Sequence, residues 1–170
     1  MSLKFLGSID TLLAYFTGNI TVTELTKKYA AAGIGTGLAA GDTVFFAGFV
    51  GAASNGLKTV ATVEANEITV SEAVGAGETA AATFKQQAVT DWMPCEDLQF
   101  LTGVINCSND ANIYIEQSWN GSDAHTNTTH AITGGTAKEW KVDVVLPKAR
   151  LRVLNDTTTQ TAMAAMLYGR

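Results

Sequence analysis

The chain has 170 residues, 46% of them apolar and 16% charged, with a net charge of −5. That apolar share supports a real core and excludes wholesale disorder, while the acidic balance argues against direct nucleic-acid binding, which depends on Lys and Arg against phosphates. The charged share falls well below the ~25% of an average soluble domain, as suits a protein that hides surface against partners.

No stretch reaches the ~20 apolar residues of a membrane span. The basic and apolar start, Met1 to Leu6, is cut off by Asp10 before a secretory core can form, so synthesis in the cytoplasm is expected. Cys95 and Cys107 are too few for a disulfide framework or a four-cysteine zinc site. Two buried free thiols or a single disulfide would account for them.

In chain order, Met1 to Phe16 reads as an extended arm, although Ser8 to Phe16 also fits a short helix. Ile20 to Thr23 is strand-like. Thr23 to Gly33 has a candidate N-cap, late lysines and a closing glycine, which predicts a second short helix. Strands are then predicted at Thr43–Phe46, Lys58–Val63, Glu67–Ser71 and Ala80–Phe84. The segment Asp91 to Asp97 interrupts them, because Pro94 cannot donate to a central ladder. It therefore divides the chain into modules at 1–88 and 89–170. Further strands follow at Leu98–Asn106, Asn112–Ser118, Trp140–Val145, Ala149–Leu154 and Ala162–Tyr168.

Turn residues bound these runs, notably Gly41-Asp42, Asn55-Gly56 and Asn120-Gly121, which can supply the positive φ of tight connections. The three-residue spacing of Val60 and Val63 predicts a bulge. The expected fold is mainly β: antiparallel barrel or sandwich modules, jelly-roll-like in the second half, with at most one or two short helices.

No catalytic, cofactor or metal constellation emerges. The glycines between Gly33 and Gly41 lead into a strand, where a dinucleotide loop demands a helix. His125 and His130 lie in a polar stretch without a supported third ligand. Glu96 and Asp97 are adjacent and would point to opposite faces of a strand. Asp110 lacks the spacing of a calcium loop. The chain is therefore read as a non-enzyme without a cofactor.

What stands out instead is a set of contact residues. Trp92, Tyr114, Trp119 and Trp140 are candidates for packing or interaction. Alternation sends Arg150 and Arg152 to one side of a strand and Leu151 and Val153 to the other, which suits contact with an acidic neighbour. On 112–118, Ile113 and Ile115 form the better core face. That leaves Tyr114 exposed, and with Trp119 it could serve a carbohydrate platform.

Two segments carry a family resemblance. Gly41 to Val50 leads through Gly51-Ala52-Ala53-Ser54-Asn55-Gly56 to Leu57–Val63 and Glu67–Ser71. This order resembles virion structural proteins of tailed bacteriophages, both head-associated and tail-tube ones. Asn112 to Ser122, Trp140 to Val145, Ala149 to Asp156 and Gln160 to Ala162 are similar to jelly-roll-type modules of phage virion and fibre proteins. The resemblance implies a virion protein made in the host cytoplasm. Its role would be a head decoration (cement) protein, a tail-tube or connector subunit, or a receptor-binding fibre module. Its partners would be copies of itself and the major capsid protein, or tail proteins.

Overall fold

The computed structural model describes residues 3–170. Its strands are β1 (Lys4–Ile9), β2 (Tyr15–Thr23), β3 (Lys28–Ala30), β4 (Thr43–Ala47), β5 (Gly56–Glu64), β6 (Glu67–Val70) and β7 (Glu78–Val89). They continue with β8 (Met93–Pro94), β9 (Phe100–Cys107), β10 (Ala111–Ser118), β11 (Thr126–Ile132), β12 (Lys138–Asp143), β13 (Lys148–Asn155) and β14 (Met163–Gly169). Among the described residues the helical content is one 3-10 turn, Ala52–Ser54. The mainly β expectation is met.

The chain divides into two compact units, one of residues 13–87 and one of residues 1–12 with 88–170. The expected modules were 1–88 and 89–170, whereas residues 1–12 group with 88–170. Lys4–Ile9 is no free arm: β1 pairs antiparallel with β14, from Lys4↔Gly169 to Ile9↔Ala165, as an edge strand whose groups facing β14 are hydrogen-bonded. Met1 and Ser2 of the expected arm lie outside the described residues.

The unit of residues 13–87 is an antiparallel barrel. Its strands run β7-β2-β3-β6-β5-β4, and a β4–β7 pairing closes the ring, which removes the sheet edges. The interior is solid. Tyr29 stacks on Phe46 at 3.9 Å between ring centroids, Phe84 and Phe49 pack around Phe46, and Ile20, Val44, Ile68 and Val60 fill the remainder. The register shifts between Val60 and Thr62, the bulge that the valine spacing announced. Ala14 N–H donates to Gln86 Oε1 at 2.6 Å and Gln86 N–H donates to Ala14 O at 3.0 Å, joining the two ends of the segment.

The predicted helix over 23–33 is absent. Lys27 adopts φ 51°, which no helix tolerates, and Lys28–Ala30 pairs with both β2 and β6. Tyr29 thereby reaches the barrel core, and burying its ring outweighs a weak local helix preference. Ser8–Phe16 is likewise extended, contributing the end of β1 and the start of β2.

The strands of the other unit pair as β1-β14-β9-β12 and as β11-β10-β13, where β13 also pairs with β8 and has β7 as its further neighbour. Numbered along this unit alone and taking β8 as the neighbour of β13, these run 1-8-3-6 and 2-7-4-5. The barrel segment is inserted in the chain between the first and second of them. Alternation sets the buried faces: Leu101, Ile105 and Cys107 on β9, Ala165 and Leu167 on β14, Ile113 and Ile115 on β10, Leu151 and Val153 on β13. Gly103 sits opposite both Trp140 and Leu167, and a Cβ there would meet the Trp140 ring at 2.3 Å. The indole thus occupies the space that the glycine leaves.

Candidate functional site

The outward face of the β8-β13-β10-β11 sheet brings four of the six expected contact residues together. On β13, Arg150 and Arg152 point away from Leu151 and Val153, which are buried. The β10–β13 register places Glu116 opposite Arg150 and Tyr114 opposite Arg152. Arg150 Nε donates to Glu116 Oε2 at 2.6 Å, and Arg152 Nε donates to Oε1 at 2.7 Å. The Arg150 guanidinium lies over Trp92 at 4.3 Å from the ring centroid, and that of Arg152 lies over Tyr114 at 3.7 Å.

The result is a ladder of ring, cation, anion, cation, ring. The Glu116 side chain is 5% exposed against 25% and 19% for its arginines, so the carboxylate is shielded while the guanidinium groups reach solvent. Each arginine is held on its flat face by a ring and at Nε by the carboxylate, an arrangement that fixes long side chains in advance of any partner. The ladder offers oriented hydrogen-bond donors and ring surface rather than a nucleophile beside a base.

The other two candidates lie elsewhere. Trp140 is buried on the inner face of β12, 5% exposed, and works as core. Trp119 is 66% exposed at the start of the loop after β10. Ser118 Oγ accepts from the N–H groups of Asn120 and Gly121, and Asn120 Oδ1 accepts from those of Ser122 and Asp123. The loop is therefore fixed while its indole stands in solvent. Gly121 has φ 74°, but the connection runs from 119 to 125 and is no two-residue hairpin.

Of the remaining turn residues, Gly41 has φ 95°, and Asp42 Oδ2 accepts from Ala39 N–H at 2.7 Å. Gly56 has φ 87° and opens β5, while Asn55 bonds the main chain of Phe49 and Gly51 rather than forming a tight hairpin. Glu78 accepts from the N–H groups of Val50 and Gly51, holding Val50 at 94% exposure. Sequence reasoning missed Glu78 as a clamp and Glu116 as the centre of the ladder. Glu116 shares the outward face with Tyr114, but only strand pairing puts it between two arginines.

His125 and His130 are not brought together as a ligand pair. His125 Nδ1 is 3.3 Å from Ser118 Oγ, whereas His130 sits on β11 facing Trp140, with ring centroids 6.5 Å apart. The polar stretch around His130 is strand β11, since its Thr and Asn residues pair along β10. Burial, with Lys138 nearby, holds the His130 pKa below its ordinary value. Among the described residues no group of three His, Cys, Asp or Glu side chains is placed to hold a metal ion. Cys95 and Cys107 are free, buried thiols, with Cys95 pushed up to about 11 by burial and by Glu96.

No family model and no curated protein matches the chain. Among solved structures it is similar to the PBSX exported protein XepA, at 14% identity and a TM-score of 0.47, over 49% of this chain and 31% of that one. It is also similar to a cryo-EM structure of Broad Bean Stain Virus, at 10% identity and a TM-score of 0.30, over 91% and 85% of the two chains. The chain thus spans under a third of XepA. Likeness at this level does not extend to function.

Proposed function

We propose that this chain is a non-enzymatic structural protein of a tailed-phage virion, acting as a head decoration (cement) protein across neighbouring capsid subunits. The observation that carries the reading is the Trp92–Arg150–Glu116–Arg152–Tyr114 ladder, a fixed, outward contact surface on an antiparallel sheet. The resemblance of 41–71 and of 112–162 to phage virion modules supplies the particle. Such a protein works through contact area: each buried Å² of apolar surface contributes about 25 cal/mol, repeated over many copies around a shell. Its partners are copies of itself and the major capsid protein, and its place is the virion.

A receptor-binding module of a fibre is the second reading, favoured by Trp119, whose exposed ring on a fixed loop is the kind of surface on which sugars stack.

Cryo-electron microscopy of gradient-purified particles that encode the chain tests the proposal. The expected density is a repeating feature on the outer shell. A ring in the tail would move the chain to a tail-tube or connector role, a fibre tip would favour the second reading, and absence from particles would remove the proposal.

A further inference from the structure

Arg150 and Arg152 each spend Nε on Glu116, and their terminal Nη groups have no hydrogen-bond partner among the described residues. A guanidinium bound at Nε still presents the paired N–H groups of its far end, which fit the two oxygens of a carboxylate. Both ends are held by ring and carboxylate, so little ordering remains to be done when a partner arrives. The two residues alternate along β13, which sets their attachment points about 6.6 Å apart. Carboxylates at alternate residues of an extended chain have that same spacing.

Charge selects the partner further. Lys148 shares the outward face of β13, giving three cations against one anion there. The β11 residues level with Tyr114 and Glu116 are Thr129 and Asn127, both uncharged. A local positive patch on a chain of net charge −5 attracts a short acidic segment but repels a long polyanion. β13 is paired with β10 on one side and with β8 and β7 on the other, so the partner lies across the face and not along an edge.

We propose that this face docks an extended, acidic polypeptide segment of a neighbouring protein, with Asp or Glu at alternate residues, one carboxylate on each guanidinium end. This rests on reading the chain as an assembly protein, and it names the chemistry of the surface to which it attaches.

The test is NMR of the full chain with ¹⁵N-labelled arginine. It is titrated with a blocked peptide Thr-Glu-Thr-Glu-Thr, with the isomer Thr-Thr-Glu-Glu-Thr, with inorganic phosphate and with a short oligothymidylate. The alternating peptide is expected to shift the side-chain signals of Arg150 and Arg152 saturably and to bind about fivefold or more tighter than the isomer. The double variant R150K/R152K keeps the charge but loses the forks, and is expected to bind about tenfold more weakly while retaining the wild-type circular dichroism.

Equal binding of the isomer, phosphate or the oligonucleotide would overturn the proposal, as would undiminished binding by the lysine variant or no shift at millimolar peptide. Failure here is separable from failure of the virion role. A chain found on particles that ignores the peptide loses only this inference, and a chain that binds the peptide but is absent from particles loses only the role.

Discussion

Glu116 is almost wholly screened from water, yet it answers two arginines that are partly exposed. This asymmetry makes the consequences of substitution unequal. Replacing both arginines by alanine strands a shielded carboxylate, and a loss of about 3 kcal/mol is expected from denaturant unfolding. Glu116→Gln leaves two guanidinium groups that can still reach water, so a smaller loss, about 1 kcal/mol, is expected. Equal effects from the two changes would show that the carboxylate is not the shielded partner.

His130 provides a pH dependence of definite sign. Its folded pKa lies below its ordinary value, so between the two pKa values the unfolded chain binds more protons than the folded one. Stability should therefore fall as pH drops below about 6.5, the ordinary histidine value, and level off once the folded pKa is passed. His130→Gln should flatten that part of a urea-midpoint profile. The cysteines give a simpler expectation. With both thiols buried and raised in pKa, iodoacetamide at pH 8 should label neither in the folded chain and both in denaturant.

At the scale of elements, the ends of the barrel segment depend on one side chain. Gln86 is 2% exposed and accepts from Ala14 N–H, so Gln86→Ala would leave that buried N–H without its partner. A loss of about 1–3 kcal/mol is expected in the unfolding of the barrel. The 48–56 loop is similarly local. Gly48 has φ 108°, and a Cβ there would approach Ala81 O to 2.8 Å, so Gly48→Ala is strained in both backbone and packing. The helix expected over 23–33 shows why elements are not read from propensity alone. Its cap, lysines and closing glycine are all present, but the demand that Tyr29 reach the core, met by a turn at Lys27, won.

On the scale of the whole molecule, the chain has two compact units, one of residues 13–87 and the other of residues 1–12 with 88–170. Because the hydrogen bonds between Ala14 and Gln86 bring the ends of the first segment together, replacing 13–87 by a short Gly-Ser linker should leave the other unit folded. Near-ultraviolet circular dichroism of the excised form checks this; a molten or insoluble product would show that the remaining unit depends on the barrel. β1 pairing with β14 predicts the opposite for deleting residues 1–12, which removes a strand of the sheet and should unfold it.

Most strands, the Val60 bulge and the inward and outward faces of β10 and β13 were determined by the sequence itself, because alternation and turn residues act over a few neighbours. Short β3 and β8 and polar β11 carried too little local signal to be seen. Only the tertiary structure decided that β1 adds an edge to the sheet formed by the C-terminal strands, since that contact joins residues more than 150 positions apart. The same holds for the ladder. Trp92, Tyr114, Arg150 and Arg152 were visible as candidates, but strand register placed Glu116 between the two cations and left their outer N–H groups free for a partner.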